Sequence, residues 1–297
     1  MHLNDFTYHK PKTLKEACQL LEDCHNGALI AGGTDVLVEF KKGLRHNDVI
    51  ISLKEINELQ IISHDKSNLY IGAAVTHNEV KYSPIVNLKF SAIVEAASNI
   101  GTEQIRNTGT VGGNLCTGAS CCDMAPVLIA YNASVEIVSS KSKRVVSLKD
   151  FFIFHKETSL AKGEIMTKII VPIPKVGLGV NFLKFGLREA ASISVASVSV
   201  SINSDDKVCD DSCIVIGAVA PTPRISGKAT ELLKNKRIKD LIEKSSLLKS
   251  IGEAAAKDAL PLDDLRGTAD FRKHLVDVLT QRAVVNAAKR SLESQEK

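Results

Sequence analysis

The sequence predicts a mixed α+β protein in two parts, with strands and helices interleaved in the first and helices gathered at the end of the second. Three observations predict this. Short apolar or alternating runs of strand length alternate with capped helical stretches over residues 1–176. A change of composition at Lys175–Gly179 (KVGLG) reads as a linker. Beyond it, Phe182–Leu187, Ile193–Ile202 and Cys213–Val219 suit a three-stranded antiparallel sheet, followed by two long helices near Ile238–Ala259 and Phe271–Glu296. The expected domains are therefore residues 1–176 and 177–297.

In chain order, Thr13–Cys24 reads as a helix. Thr13 is the N-cap, Glu16 completes a capping box, and Leu14, Ala17, Leu20 and Leu21 form one apolar stripe. Ala28–Ala31 is a short strand, Gly32-Gly33 turns the chain, and Thr34-Asp35 caps a helix Val36–Lys42. Asp48–Leu53 is a second strand, and Ile61-Ile62 pairs with Leu69–Ala74 as a hairpin. Thr76 caps a short helix that ends before Pro84, and Phe90–Ile100 is a helix with Ile93, Val94, Ala97 and Ile100 on one face. Met124–Tyr131 is a short apolar helix with Pro126 tolerated in its first turn. Ser134–Val138 and Arg144–Leu148 form a hairpin, and Ile165–Ile173 is a strand stopped by Pro172 and Pro174. The second terminal helix carries Leu275, Val278, Leu279, Ala283, Val284 and Ala287.

The composition excludes several function classes. The net charge is +4 over 297 residues, and the lysines are scattered except at Lys234–Lys239, a solvated helix end. That is not a nucleic-acid footprint. No apolar run approaches the length of a membrane span. The opening MHLNDFTYHKPKT lacks a basic segment followed by an apolar core, so no signal peptide is expected. The seven cysteines are an odd number, which points to reduced thiols in the cytoplasm. Cys116-x4-Cys121-Cys122 and Cys209-x3-Cys213 lack zinc-site and ferredoxin spacing, so no metal is expected.

The chemistry concentrates in Gln104–Asp123, QIRNTGTVGGNLCTGASCCD, where Gly109, Gly112, Gly113 and Gly118 are interspersed with Thr108, Thr110, Thr117 and Ser120. A second segment of the same character, Ala31–Asp35 (AGGTD), follows the apolar run Ala28-Leu29-Ile30. Glycine permits close approach of backbone to ligand, and successive free N–H groups form an anion-binding concavity. A single Gly-Gly pair is ordinarily a tight turn. Two such segments, each rich in hydroxyls, suggest two backbone clamps on one pyrophosphate. Asp123 is either the N-cap of the following helix or a ligand contact. Arg106 is a phosphate partner or an internal salt bridge, and His77 is by default a surface or core histidine.

The motifs AGGTDVLVEF, IGAAVTHNEV, QIRNTGTVGGNLCTGASCCDMAPVLIAY, KFGLREAASIS, IGAVAPTPR and DLRGTADFRKHLVDVLTQRA occur in this order. In this the chain resembles the FAD-binding medium subunit of the molybdenum hydroxylases, the FAD subunit of bacterial xanthine dehydrogenase among them. The resemblance implies a PCMH-type, two-lobed FAD-binding domain followed by a C-terminal domain with a three-stranded sheet and helices. It implies FAD held by Ile30, Ala31, Gly32, Gly33, Thr34, Asp35, Val36 and Leu37, and by Gly109, Thr110, Val111, Gly112, Gly113 and Asn114. It further implies Asp123 at the ribityl side, Met166 beside the isoalloxazine through its backbone, Lys184 near the ring, and Ile100 as an apolar contact. No residue of this chain is expected to act as a general base or nucleophile.

The implied function is electron transfer. A molybdopterin-binding large subunit and a 2Fe–2S small subunit would supply electrons, and the FAD would pass them to an acceptor such as NAD. Two other readings share the motifs: a flavin- or nucleotide-binding module without redox turnover, and a stand-alone PCMH-type flavin oxidase. The family members that carry an extra cluster insert a long loop before Asp123, and this chain has no such insertion, so no cluster is expected.

Overall fold

The structure is a computed structural model that describes residues 5–296. Residues 1–4 and 297, the outer ends of the two expected domains and the start of the segment read for a leader, lie outside the described residues.

The first part of the chain builds two lobes. The outer lobe carries a parallel three-stranded sheet in which Val49–Ser52 lies between Thr7–His9 and Gly27–Ile30. The helix Leu14–Asp23 packs on it through Ala17 and Cys18, and Ile51, Leu53, Ile56 and Leu59 complete its core. Thr13 caps this helix by accepting from the Glu16 amide at 3.2 Å. The expected capping box is incomplete, because the Glu16 carboxylate takes the Lys12 amide instead of that of Thr13. The inner lobe carries an antiparallel five-stranded sheet with Ile165–Pro172 at its centre, flanked by Asn68–Gly72 and Ser134–Val138. Ile62–His64 and Lys143–Ser147 form the edges, as the two predicted hairpins require. A full capping box does occur at Thr76 and Glu79, at the start of His77–Tyr82.

The C-terminal sheet has four antiparallel strands, not three: Leu178–Phe185, Ala196–Asp205, Val208–Gly217 and Arg224–Ile225. Part of the expected linker, Leu178-Gly179, belongs to the first strand. Its glycine suggests a loop in sequence, but it is required by packing: a Cβ on Gly179 would lie 2.1 Å from the Ala287 carbonyl oxygen of the last helix. The fourth strand is only two residues long and leaves no periodicity to read. The first expected long helix is broken at Lys244 (ψ 95°) into Ile238–Glu243 and Ser245–Asp258. A further helix, Gly227–Leu233, precedes them, and Ala269–Gln295 closes the chain.

The apolar helix Met124–Ala130 is buried along its whole length. It shares one core with Leu69, Ile71 and Ile169 of the inner lobe and with Phe182 and Val215 of the C-terminal sheet. Burying a Leu, Ile or Phe side chain stabilises by roughly 1.5–3 kcal/mol. This shared core therefore fixes the C-terminal sheet firmly against the inner lobe.

Candidate functional site

A cleft opens between the two lobes. Its volume is about 670 Å³, within the roughly 300–1,000 Å³ typical of cofactor and small-molecule sites. One wall is the strand end and turn Ile30–Val36; the other is Ile100, Gly109, Thr110, Gly112, Gly113, Asn114 and Met166.

The two glycine segments touch each other. A Cβ on Gly32 would fall 2.1 Å from the Thr108 carbonyl oxygen and 2.8 Å from the Gly109 Cα. Gly33 adopts φ +74°, a left-handed conformation that favours glycine. Thr117 Oγ1 donates to Asp35 Oδ2 at 3.2 Å, tying the walls together a second time. Asp35 does not cap the helix Val36–Lys41 with its side chain, as had been expected.

The segments differ in chemistry. The amides of Gly32, Gly33, Thr34, Asp35 and Val36 donate to no protein acceptor among the described residues. Ala31 to Thr34 are half-buried. Successive unpartnered N–H groups in a half-buried turn attract an anion, because leaving them dry and unpaired is costly. The second segment is not the loop that its glycines suggest. It holds the helix Val111–Thr117, capped by Thr110 at its start and by Gly118 (φ 60°) at its end. Its first amides are already engaged: Val111 with Val75 O at 2.9 Å, Gly112 with Ala73 O at 3.0 Å, and Asn114 with Thr110 O at 2.9 Å. Gly113 N donates to Thr110 Oγ1 at 3.0 Å. The second segment is thus a floor rather than a second backbone clamp. Gly112 lets that floor settle on the sheet, since its Cβ would meet Ala73 O at 2.5 Å. A Cβ on Gly113 would meet only Thr110 Oγ1 within 4 Å and otherwise face open space.

Most of the expected contacts line the cleft, namely Ile30 to Val36, Ile100, Gly109, Thr110, Gly112, Gly113, Asn114 and Met166. Four do not. Leu37 is partly solvent-exposed, and Val111 is fully buried in the core. Asp123 and Lys184 face each other in a buried ion pair of 2.8 Å. Lys184 Nζ also donates to Asn99 O at 2.7 Å and to Ser192 O at 3.1 Å, and Asp123 accepts from Ser194 Oγ. Asp123 stands at the N-cap position of Met124–Ala130, but its backbone is helical and its side chain makes no cap bond. Burial pushes its carboxyl up, and the Lys184 ammonium pulls it back down. Neither residue lines the cleft; Lys184 is tied to the segment before Ile100 by its bond to Asn99 O.

Arg106 is internal. It donates to Ile100 O at 2.9 Å and Gly101 O at 3.2 Å, and it pairs with Glu103 at 2.6 Å. It fixes the turn that presents Ile100. The cysteines beside the cleft are held as thiols. Burial pushes Cys116 up to about 12 and raises Cys121 and Cys122 as well. Thiols so raised are poor nucleophiles and poor metal ligands. Among the described residues no group of three or more His, Cys, Asp or Glu side chains could hold a metal ion. No helix among them is long and apolar enough to cross a membrane.

His77, read from the sequence as a surface or core histidine, is a buried one. It is 2% exposed and lines the cleft. Burial, with the Arg106 charge adding to it, lowers its pKa from 6.5 to about 4. The unfolded chain takes up this proton near pH 6.5, the folded chain only near 4. The stability tied to neutral His77 is therefore complete above pH 6.5 and is lost as pH falls through that window. The loss amounts to on the order of 3 kcal/mol. Thermal melts should show the advantage of wild type over His77→Gln shrinking between pH 6.5 and 4. A difference that stays flat with pH would refute the assignment.

Against known proteins, residues 4–174 match the family model described as the FAD binding domain in molybdopterin dehydrogenase. The chain belongs to this family. Residues 181–287 match the CO dehydrogenase flavoprotein C-terminal domain. The xanthine dehydrogenase FAD-binding subunit of Escherichia coli O157:H7 is 31% identical over 286 residues, 95% of each chain. The nicotinate dehydrogenase FAD-subunit of Eubacterium barkeri is 33% identical over 237 residues, 78% of this chain and 80% of that one. Among solved structures, a chain of carbon monoxide dehydrogenase from Hydrogenophaga pseudoflava superposes with a TM-score of 0.92 at 28% identity, covering 98% of this chain and 99% of that one. A chain of quinoline 2-oxidoreductase from Pseudomonas putida 86 does so with a TM-score of 0.92 at 27% identity, covering 98% of this chain and all of that one. The protein is an FAD-binding subunit of the molybdenum hydroxylase family, and the open amides of Gly32 to Val36 fit the diphosphate of such a cofactor.

Proposed function

We propose that the cleft between the lobes holds the FAD and that the chain is the electron-transfer subunit of a xanthine dehydrogenase-like molybdenum hydroxylase. The row of unpartnered amides from Gly32 to Val36 carries this reading, because it offers a dinucleotide's diphosphate its hydrogen bonds without displacing any protein contact. In it, Ile30 to Val36 cradle the diphosphate and ribityl chain. Gly109, Thr110, Gly112, Gly113 and Asn114 form the floor, with the Cβ-free face of Gly113 beneath the ligand. Ile100 and Met166 supply the apolar side. Leu37 and Val111 support these walls from outside, and Asp123 and Lys184 position Ile100 through the Asn99 carbonyl. Bound FAD supplies the redox chemistry, taking up two electrons and releasing them to an acceptor.

In this reading the partners are a molybdopterin-binding large subunit and a 2Fe–2S small subunit, and NAD is the acceptor; the names FAD-subunit and medium chain borne by relatives support an assembly of several chains. All seven cysteines are unpaired, which supports a cytoplasmic setting. The test is purification of the chain from its native source. Copurification with molybdenum, iron and releasable FAD, and reduction of NAD by xanthine, is the expected result. A chain that binds FAD yet purifies alone and reduces no acceptor would overturn the subunit assignment. A chain that folds but takes up no FAD would overturn the cleft assignment.

A further inference from the structure

His77 occupies the point where the two glycine segments meet. Its backbone amide donates to Gly109 O at 3.0 Å. The preceding Thr76 forms an antiparallel bridge with Thr110. A methyl group placed on Gly109 would fall 3.4 Å from Thr34 Oγ1 and 3.5 Å from His77 Cδ2, so the Cδ2 edge of the ring turns toward both segments. The bond geometry of imidazole places Nε2 on that same edge.

Neither ring nitrogen has a partner in the protein. Nδ1 is buried with none, and no described group bonds Nε2. A neutral imidazole carries its proton on one nitrogen only. A proton on Nδ1 would leave a buried donor unpaired, which folded proteins rarely tolerate, whereas an unpaired acceptor is tolerated more often. The tautomer that satisfies this places the proton on Nε2, at the cleft edge beside Thr34. The polypeptide offers that N–H no acceptor. The surrounding chemistry, the open amides of Gly32 to Val36, favours an anion.

We propose that His77 is a further cofactor-binding residue, which donates its Nε2–H to the diphosphate of the bound dinucleotide. This rests on the reading of the cleft as the FAD site. The rigid backbone of His77–Tyr82, fixed by the Thr76–Glu79 capping box, holds the ring there before the ligand arrives.

The test separates the two claims by using fragments of the cofactor. The full chain, freed of flavin, is titrated with FAD, ADP and riboflavin by calorimetry, as wild type, His77→Phe and His77→Gln. His77→Phe keeps the ring's bulk without its donor, and His77→Gln restores an N–H. The expected result is a tenfold or greater loss of affinity of His77→Phe for both FAD and ADP, unchanged binding of riboflavin, and partial recovery in His77→Gln. Addition of ADP should also shift the ring nitrogen resonances of His77 in the ¹⁵N-histidine-labelled wild-type chain. Wild-type affinity of His77→Phe for FAD and ADP would overturn the role of His77 and leave the cleft assignment standing. Weakened riboflavin binding would overturn the assignment to the diphosphate. Should His77→Phe not fold, the His77→Gln titration and the ring resonances decide alone, with wild-type affinity and unmoved resonances refuting the proposal. A wild-type chain that binds none of the three ligands would refute the cleft itself.

Discussion

Replacing Gly113 with valine should abolish FAD retention while leaving the chain folded. Gly113 lies in the first turn of Val111–Thr117, where the backbone is helical and accepts any L-residue. Among the described residues the only obstacle is Thr110 Oγ1, 2.8 Å from the added Cβ. Disturbing that cap costs about 1 kcal/mol. The valine methyls then project into the cleft, where the diphosphate would lie. Flavin absorbance of the purified variant and its far-ultraviolet dichroism measure the two effects separately. Stoichiometric FAD in Gly113→Val would remove this floor from the site.

Lys184→Met should be the most destabilising single change at the domain junction. It strands the Asp123 carboxylate, whose side chain is 6% exposed, without its counter-ion. Breaking one partner of a buried pair costs roughly 3–5 kcal/mol, which for a chain of this size lowers the melting temperature by on the order of 10 °C. The double change Asp123→Asn, Lys184→Met should recover much of that loss, because no unpaired charge then remains buried. Calorimetric melts of the single and double variants decide the matter. Equal melting temperatures for Lys184→Met and wild type would show that the pair does not hold the junction.

Much of this was legible in the sequence because the signals are local. Thr76 announces a capped helix, and the alternation of Ser134–Val138 announces a hairpin strand. Both depend on residues a few positions apart. The misses share a different cause. Gly112 and Gly113 have low helix propensity, so Val111–Thr117 looked like a loop. It is helical because its first amides find acceptors on Ala73 and Val75, which only the folded chain brings near. Gly179 read as linker for the same reason, its role being contact with a distant helix. The cleft wall at Ile30–Val36 was legible, since the glycine turn itself exposes the amides. Lys184 and Asp123 were both singled out, but their mutual pairing depends on sequence-distant strands and could not be read.

The helix Met124–Ala130 gives the chain an unusual heritage constraint. It lies in the first domain by sequence, yet its side chains fill a core that the C-terminal sheet closes through Phe182 and Val215. The two halves therefore resemble a lock and its housing more than beads on a string. A fusion or recombination event that joined this N-terminal half to a foreign C-terminal half would carry the cleft between the lobes across intact. It would also expose a greasy surface shaped for one partner only. Lineages that shuffle these units must move them together or reshape both sides of that seam at once.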